Sequence, residues 1–180
     1  MTFDNDQRGI MLHSALALLV AGAVLGAGYG WLPPEIFGLT EVMPIGDQIG
    51  FVLKASFPIF LWLAACVRTV ASGRFRNAAD RPGAAFGPPS EKLAIRIAIL
   101  QNSLEQTVLI LGAHLILAVT LRGTELVLVP LSVGIFLAGR AAFAWNYRKG
   151  AVGRAFGMTL TAAPIIFAYI LAGVLMLEGR

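Results

Sequence analysis

The amino-acid sequence predicts an all-α protein, a polytopic bundle of membrane-spanning helices. Of its 180 residues, 57% are hydrophobic and only 13% are charged, against about 25% charged residues in an ordinary soluble domain. A soluble chain of this size cannot bury so much apolar surface, because its surface is large relative to its volume. The apolar residues also fall into five long stretches, each close to the ~20 residues that a helix needs to cross a bilayer.

The five stretches, taken in chain order, are the predicted spans. They cover residues 10–32, 49–71, 93–121, 125–145 and 154–177. The first stretch has an alternative interpretation as a cleaved signal peptide. Its leading segment holds Asp4 and Asp6 beside Arg8 and is therefore not positive, and its apolar part is longer than that of a usual signal peptide. We therefore favour an uncleaved N-terminal helix and keep cleavage as the alternative.

The segments between the spans differ in composition. Residues 33–48 carry three acidic side chains and no lysine or arginine. Residues 72–92 are rich in glycine, proline and arginine, which predicts an ordered or semi-ordered loop, and Ser90 is the predicted N-cap of the third helix. The turn at 122–125 is short, and residues 146–153 are again basic and contain two glycines.

The basic residues lie mostly on one side of the predicted bundle. Eleven of the fourteen fall on that side, namely Arg8, Arg68, Arg74, Arg76, Arg81, Lys92, Arg96, Arg140, Arg148, Lys149 and Arg154. The other three are Lys54, Arg122 and Arg180. The positive-inside rule then predicts a cytoplasmic N-terminus, and we expect a bacterial inner membrane. The same rule accounts for the net charge of +4, so no nucleic-acid partner is predicted.

The third stretch is polar along one face. Asn102, Glu105 and Gln106 lie within about 100° of arc on a helix. A carboxylate inside a span is rare and must be protonated, hydrated or paired. The candidate partners for Glu105 are Arg68, Arg96, Arg140 and Arg154. Such a network either holds helices together or also orients a polar ligand, and the sequence leaves both interpretations open.

The end of the fourth stretch adds further polar residues. Arg140 and Tyr147 are seven residues apart and therefore share a helix face. Alone, they indicate a positive-inside arginine and an interfacial aromatic belt of Trp145 and Tyr147. With Arg154 at the head of the fifth helix, they predict a cluster of guanidinium groups. Such a cluster suits carboxylates, or a thiol whose ionisation it favours.

Other reactive residue types are scarce. Cys66 lies in an apolar run and is predicted to be a small packing residue. His114 is predicted to form a hydrogen bond between helices. Because one cysteine and the distant His13 and His114 are too few ligands, no metal site is predicted.

At these residues the chain resembles the MAPEG family, the membrane-associated proteins in eicosanoid and glutathione metabolism. The residues that carry the resemblance are Arg68 at the end of the family's first helix, Asn102-Ser-Leu-Glu105 on its second, Arg140 and Tyr147 near the end of its third, and Arg154 at the head of its fourth. The resemblance covers about residues 50–178, and the order and spacing of these motifs make it fairly specific.

The resemblance implies a four-helix membrane domain at residues 49–180 that assembles as a homotrimer. Residues 1–48 are then an extra N-terminal transmembrane helix and its outer loop. The resemblance also implies a glutathione site between neighbouring subunits near the cytoplasmic side, where Arg154 stabilises the thiolate. The residues expected to bind the rest of glutathione are Arg68, Asn102, Glu105, Arg140 and Tyr147. A lipid-facing groove takes the lipophilic small-molecule substrate.

One position departs from the family pattern. The family usually carries an arginine four residues before the asparagine, where it helps to hold glutathione, and this chain has Ala98 there. The nearby Arg96 points about 200° away in direction.

The favoured function is a glutathione-dependent transferase or peroxidase that acts on lipophilic electrophiles or lipid hydroperoxides. The alternatives are a non-catalytic protein that binds lipid or a partner, and a small transporter or structural subunit that uses Glu105 as a proton or ion site.

Overall fold

In a computed structural model, which describes residues 4–83 and 85–179, the chain forms five long α-helices and short connections. The helices are α1 (Asn5–Trp31), α2 (Ile45–Arg76), α3 (Glu91–Thr120), α4 (Leu128–Asn146) and α5 (Gly150–Leu177). No strand occurs in those two ranges. The predicted all-α membrane helix bundle is confirmed. Arg180, one of the basic residues assigned to the outer side, lies outside the described residues.

The helices have the length and apolar composition of membrane spans. Within the described chain, four helical stretches qualify, and the first three are α1, α2 and α3. The fourth, Gly123–Leu177, has 55 residues, far more than the ~20 that one crossing needs. It contains both α4 and α5, which are separated by a short 3₁₀ turn at Tyr147–Lys149 and fold back on each other. The chain is therefore an integral membrane protein, and the expected fourth and fifth spans are a helical hairpin.

Several helix boundaries differ from the predicted ones. Helix α2 has 32 residues and ends at Arg76, so Arg74 and Arg76 lie on its last turn and not in a loop. An apolar window misses such extensions, because polar residues continue a helix beyond the bilayer and basic side chains suit its C-terminal dipole. Helix α5 begins at Gly150, which places Arg154 one turn inside the helix.

A single carboxylate organises the connection between α2 and α3. Asp80 accepts hydrogen bonds from the Ser90 backbone N–H at 2.7 Å, from the Ser90 hydroxyl at 2.6 Å and from the Asn77 side-chain amide at 2.7 Å. The bonds from Ser90, and chiefly the backbone one, hold the pKa of Asp80 below its ordinary value. Ser90 is the N-cap of α3, as predicted, but its side chain makes no capping bond because it is bound to Asp80.

Helices α4 and α5 approach most closely at two glycines. A Cβ atom added to Gly139 would lie 2.6 Å from the Thr161 backbone nitrogen, and one added to Gly157 would collide with the backbone of Phe143. Small residues at a helix crossing let two backbones come into near contact inside a membrane. This contact fixes α5 beside the α4 residues that follow Gly139.

Helix α1 packs along α4 and α5, while α2 packs mainly on α3. The buried stripe of α1 consists of Ala17, Ala21 and Leu25. Near its start, a Cβ on Gly9 would lie 2.9 Å from Val152 Cγ1, so α1 also lies close to the first turn of α5. Helix α1 thus belongs to the packed bundle on the α4–α5 flank, and the division of the chain at residue 48 stays a prediction.

Two buried polar contacts join α2 to α3. The Ser56 hydroxyl and His114 Nδ1 share a hydrogen bond of 2.9 Å, which confirms the predicted role of His114 between helices. Cys66 is buried, and its thiol lies 3.8 Å from the Ser103 hydroxyl. Cys66 is therefore a packing residue, as predicted.

The crossing of α4 and α5 can be tested with two alanine substitutions on the same helix. We expect Gly157→Ala to lower the free energy of unfolding in detergent by about 1–3 kcal/mol, because its Cβ overpacks the crossing. Gly173→Ala is the matched control, since an added Cβ there meets nothing within 4 Å. Alanine is the better helix former by up to about 1 kcal/mol, so the control should be neutral or stabilising. Equal effects of both substitutions would contradict the close approach.

The Asp80 contacts predict that the stability of the segment between α2 and α3 depends on pH. A carboxylate whose pKa is lowered on folding stabilises the fold above its ordinary pKa, and this stability is lost as the pH falls through the lowered pKa. The protection factor of the Ser90 amide, which is the exchange rate of an unstructured amide at the same pH divided by its own, should therefore fall as the pH drops through the lowered pKa of Asp80. In Asp80→Asn, which removes the charge, exchange should already be fast at neutral pH, whereas the exposed Glu91→Gln should behave like the unmodified chain. Slow exchange in Asp80→Asn would show that other contacts hold the loop.

Candidate functional site

A cavity of about 380 Å³ lies at the end of the bundle where α1, α3 and α5 begin and α4 ends. Four helices or their ends line it. Its polar lining consists of Ser14, Asn102, Tyr147, Arg154 and Thr159. The remaining lining is apolar and includes Ile10, Phe143 and Met158. The cavity thus offers one cationic group, several hydrogen-bonding groups and apolar walls.

A buried arginine stands behind this cavity. The side chain of Arg140 is 0% exposed. Its Nε donates to the Thr161 hydroxyl at 3.0 Å, and its Nη1 donates to Asn102 Oδ1 at 2.7 Å. Its guanidinium carbon also lies 4.5 Å from the centre of the Phe143 ring, which is a cation–π contact. Arg140 thereby joins α3, α4 and α5 and fixes the amide of Asn102 at the cavity wall.

The partners of Arg140 are neutral, so their geometry must compensate for burying a charge. Thr161 serves this purpose because its hydroxyl donates to the Gly157 carbonyl oxygen at 2.8 Å and leaves its oxygen free to accept from Arg140. The near contact of Gly139 with Thr161 brings the two side chains within reach. The glycine crossing of α4 and α5 is therefore what positions this arginine.

A second arginine faces the cavity itself. The guanidinium carbon of Arg154 lies 5.0 Å from the centre of the Tyr147 ring. That ring in turn meets Phe143 edge to face, with centroids 5.3 Å apart. Arg154 is half-buried, and no side chain or carbonyl in the described ranges accepts a hydrogen bond from it. Its N–H donors are therefore available to an anion in the cavity.

Two predicted site residues lie elsewhere. Glu105 is exposed and accepts a hydrogen bond from the Gln101 side chain at 3.0 Å. Arg68 is exposed on α2, and neither residue lines the cavity. The structure pairs Glu105 with none of its predicted arginine partners. Arg96, for example, donates instead to the Thr69 carbonyl at 3.2 Å.

The helix geometry explains why Asn102 and Glu105 separate. Residues three apart differ by about 60° around a helix, whereas Gln101 and Glu105 differ by only about 40°. The polar arc on α3 is therefore wide enough to cross the edge between the side of the helix that packs in the bundle and the side that faces outward. Asn102 lies on the inward side of this edge and contacts Arg140, and Glu105 lies on the outward side with Gln101.

Three residues of the site carried no signal in the sequence. Ser14 and Thr159 line the cavity and are hydrogen-bonded to each other, and Thr161 supports Arg140. Single hydroxyls in apolar stretches are common, and no local spacing connects residues so far apart in the chain. Ala98, by contrast, was noted from the sequence, and its methyl group lines the cavity without adding charge.

Comparison with known proteins gives one match. The model of the MAPEG family matches residues 51–174, a range that covers α2 to α5 apart from the first turns of α2 and the end of α5. Helix α1 lies outside the matched range. No curated protein and no solved structure matches the chain.

The two-bond geometry of Arg140 can be tested without removing its charge. We expect Arg140→Lys to lower the free energy of unfolding by about 1.5–3 kcal/mol, the contribution typical of a hydrogen bond to a charged group. A single ammonium group cannot reproduce the planar fork that reaches both Thr161 and Asn102. The exposed Arg148→Lys is the control and should leave the thermal unfolding midpoint unchanged. A midpoint for Arg140→Lys equal to that of the control would contradict this geometry.

Proposed function

Because the chain belongs to the MAPEG family, whose members are membrane proteins of eicosanoid and glutathione metabolism, we propose that it is a glutathione-dependent transferase or peroxidase. Its substrates are then lipophilic electrophiles or lipid hydroperoxides. The observation that carries this proposal is the position of Arg154. Its guanidinium lines a cavity together with Asn102 and Tyr147 and has donors left for an anionic ligand.

The lining residues suit the thiol end of glutathione. A guanidinium group beside a thiol raises the thiolate fraction at neutral pH, which is the role proposed for Arg154. The amide of Asn102 and the phenol of Tyr147 suit the peptide groups of the same ligand. Arg154 is the sole charged residue among those that line the cavity in the described chain. A second carboxylate-binding cation would therefore have to come from outside this cavity.

In the transferase reaction, the sulfur of glutathione forms a carbon–sulfur bond with the electrophile as the leaving group of the electrophile departs. In the peroxidase reaction, two glutathione molecules are oxidised to the disulfide while the lipid hydroperoxide is reduced to an alcohol and water. Arg154 stabilises the negative charge on the sulfur. Arg140 acts as a positioning residue, because it holds the Asn102 amide. The apolar side chains of Ile10, Phe143 and Met158 receive the lipophilic part of the substrate.

We propose a homotrimer as the assembled form. Glu105 is exposed on α3 beside Leu104 and Val108, whose side chains are also exposed. A carboxylate on a lipid-facing surface is unfavourable, so a second copy that covers this face would remove it from lipid. We propose that Arg68 and Glu105 take their expected binding roles at a neighbouring copy's cavity, since neither lines the cavity of its own chain.

The proposed location is a bacterial inner membrane with a cytoplasmic N-terminus. In that orientation the beginnings of α1, α3 and α5 and the end of α4 all lie on the cytoplasmic side. The Arg154 cavity then opens toward the compartment that holds the glutathione pool. The excess of basic residues on the same side supports this orientation.

The alternative is a non-catalytic protein that binds lipid or a partner. Two observations favour it. Ala98 leaves the cavity without a second guanidinium group. A separate cavity of about 360 Å³ between α1, α4 and α5 is lined mostly by apolar side chains, among them Leu25 and Leu171, and its walls suit an acyl chain.

An Arg154→Leu substitution tests the proposed function. Adding glutathione to the purified protein should produce the ultraviolet absorbance of a bound thiolate and raise the unfolding temperature. In Arg154→Leu the thiolate absorbance should disappear, and conjugation of a chromogenic electrophile should slow on the order of 10²-fold, because the anion loses its electrostatic partner. Arg148→Leu removes the same charge from the exposed turn after α4 and should retain both signals.

Two results would count against the enzyme. Unchanged conjugation in Arg154→Leu would remove the role assigned to this residue. A chain that gives neither thiolate absorbance nor a thermal shift with glutathione, but retains lipid through purification, would support the non-catalytic alternative.

A further inference from the structure

Helix α1 supplies one wall of the candidate site. Ile10 and Ser14 of α1 line the same cavity as Asn102 and Arg154. This helix lies before the matched range, which begins at residue 51. The cavity is therefore bordered by a part of the chain that the family match does not include, and this part brings a polar side chain to it.

Direct contacts hold this wall in place. The Thr159 hydroxyl donates to the Ser14 hydroxyl oxygen at 2.9 Å. One turn earlier, Gly9 packs against Val152, and deeper in the bundle Ala17 and Ala21 are almost fully buried. The contacts extend along α1 on both sides of Ser14, so Ser14 occupies a defined position at the cavity wall.

The hydroxyl of Ser14 still has a donor to offer. Its oxygen accepts the bond from Thr159, and no acceptor for its own hydrogen occurs within residues 4–83 and 85–179. Ser14 and Arg154 thus offer hydrogen-bond donors to one cavity, and two donors without an acceptor suit an anionic ligand.

We propose that α1 supplies one wall of the ligand site, and that Ser14 donates a hydrogen bond to the anionic ligand bound by Arg154. The ligand class is a thiolate or carboxylate on a small peptide, which rests on the proposed function. A consequence is that bilayer lipid is excluded from this side of the cavity. The lipophilic substrate must then approach past the apolar side chains of α4 and α5.

Cysteine labelling tests the position of Ser14 independently of glutathione. A thiosulfonate reagent that carries a sulfonate reacts with thiols in water and not with thiols facing lipid. We expect Ser14→Cys to react about ten times faster than the two controls, Leu12→Cys and Leu16→Cys. The controls replace side chains on the outer face of α1 that are 70% and 50% exposed. These controls bracket Ser14 in depth, and the unmodified chain with its buried Cys66 is the blank. Equal rates at the three positions would overturn the proposal.

A second measurement links Ser14 to Arg154. The ratio of the labelling rates for an anionic and a cationic thiosulfonate reports the charge around the new thiol. In Ser14→Cys, adding Arg154→Gln should lower this ratio several-fold, because the guanidinium attracts the anionic reagent. Adding Arg148→Gln instead removes a charge from the exposed turn and should leave the ratio unchanged. The same fall in both double variants would show that Ser14 does not share the Arg154 cavity.

Glutathione sulfonate, which keeps a negative charge at its sulfur and cannot react with the label, separates this proposal from the proposed function. If it binds the chain, it should slow labelling of Ser14→Cys, and Ser14→Ala should raise its Kd about tenfold, while Leu16→Ala should not. Binding with no protection and no loss in Ser14→Ala would overturn the role of Ser14 and leave the function intact. If glutathione sulfonate does not bind at all, the proposed function fails, and the labelling rates alone decide whether α1 lines the cavity.

Discussion

The arrangement of the candidate site depends on one buried cation, the guanidinium group of Arg140. It has no carboxylate partner in the described chain and is held by the Thr161 hydroxyl, by Asn102 Oδ1 and by the face of the Phe143 ring. A charge buried in this way is tolerated only where its hydrogen bonds are well made. These bonds require that α4 and α5 come close enough to touch, which Gly139 and Gly157 permit. The arginine in turn fixes Asn102 at the cavity wall. Backbone packing and the polarity of the site are therefore set by the same helix crossing.

The fold was largely predictable from the sequence, because the bilayer imposes simple requirements on length and composition. Five apolar stretches gave five helices, and His114 and Cys66 lie where a helix contact and a packing residue were expected. The differences concern helix ends. Helix α2 continues through Arg74 to Arg76, since a helix does not stop where the apolar window stops. The Ser90 side chain, expected to cap α3, instead binds Asp80, a tertiary contact that no local pattern indicates.

The site was predictable only in part, for a geometric reason. Arg140, Tyr147 and Arg154 come together because α4 ends where α5 begins, and Asn102 meets them from the first half of α3. Glu105 does not join them in one chain, because it lies about 60° around α3 from Asn102, and the edge between the packed side and the outward side of the helix runs between the two. Ser14 and Thr159 were not found because their pairing depends on how α1 packs on α5, which hydrophobic patterning does not specify.

Arg154, Asn102 and Tyr147 are proposed to form the wall of a cavity that binds an anionic peptide ligand, with α1 as its fourth side. An experimental structure of the chain in lipid with glutathione sulfonate, which carries a negative charge at its sulfur, tests this proposal. We expect the ligand in this cavity, with its sulfur beside the Arg154 guanidinium and a polar group within hydrogen-bonding distance of Asn102. A ligand bound elsewhere, or an Arg154 side chain that points into solvent or lipid while the cavity is filled by packed side chains, would contradict it.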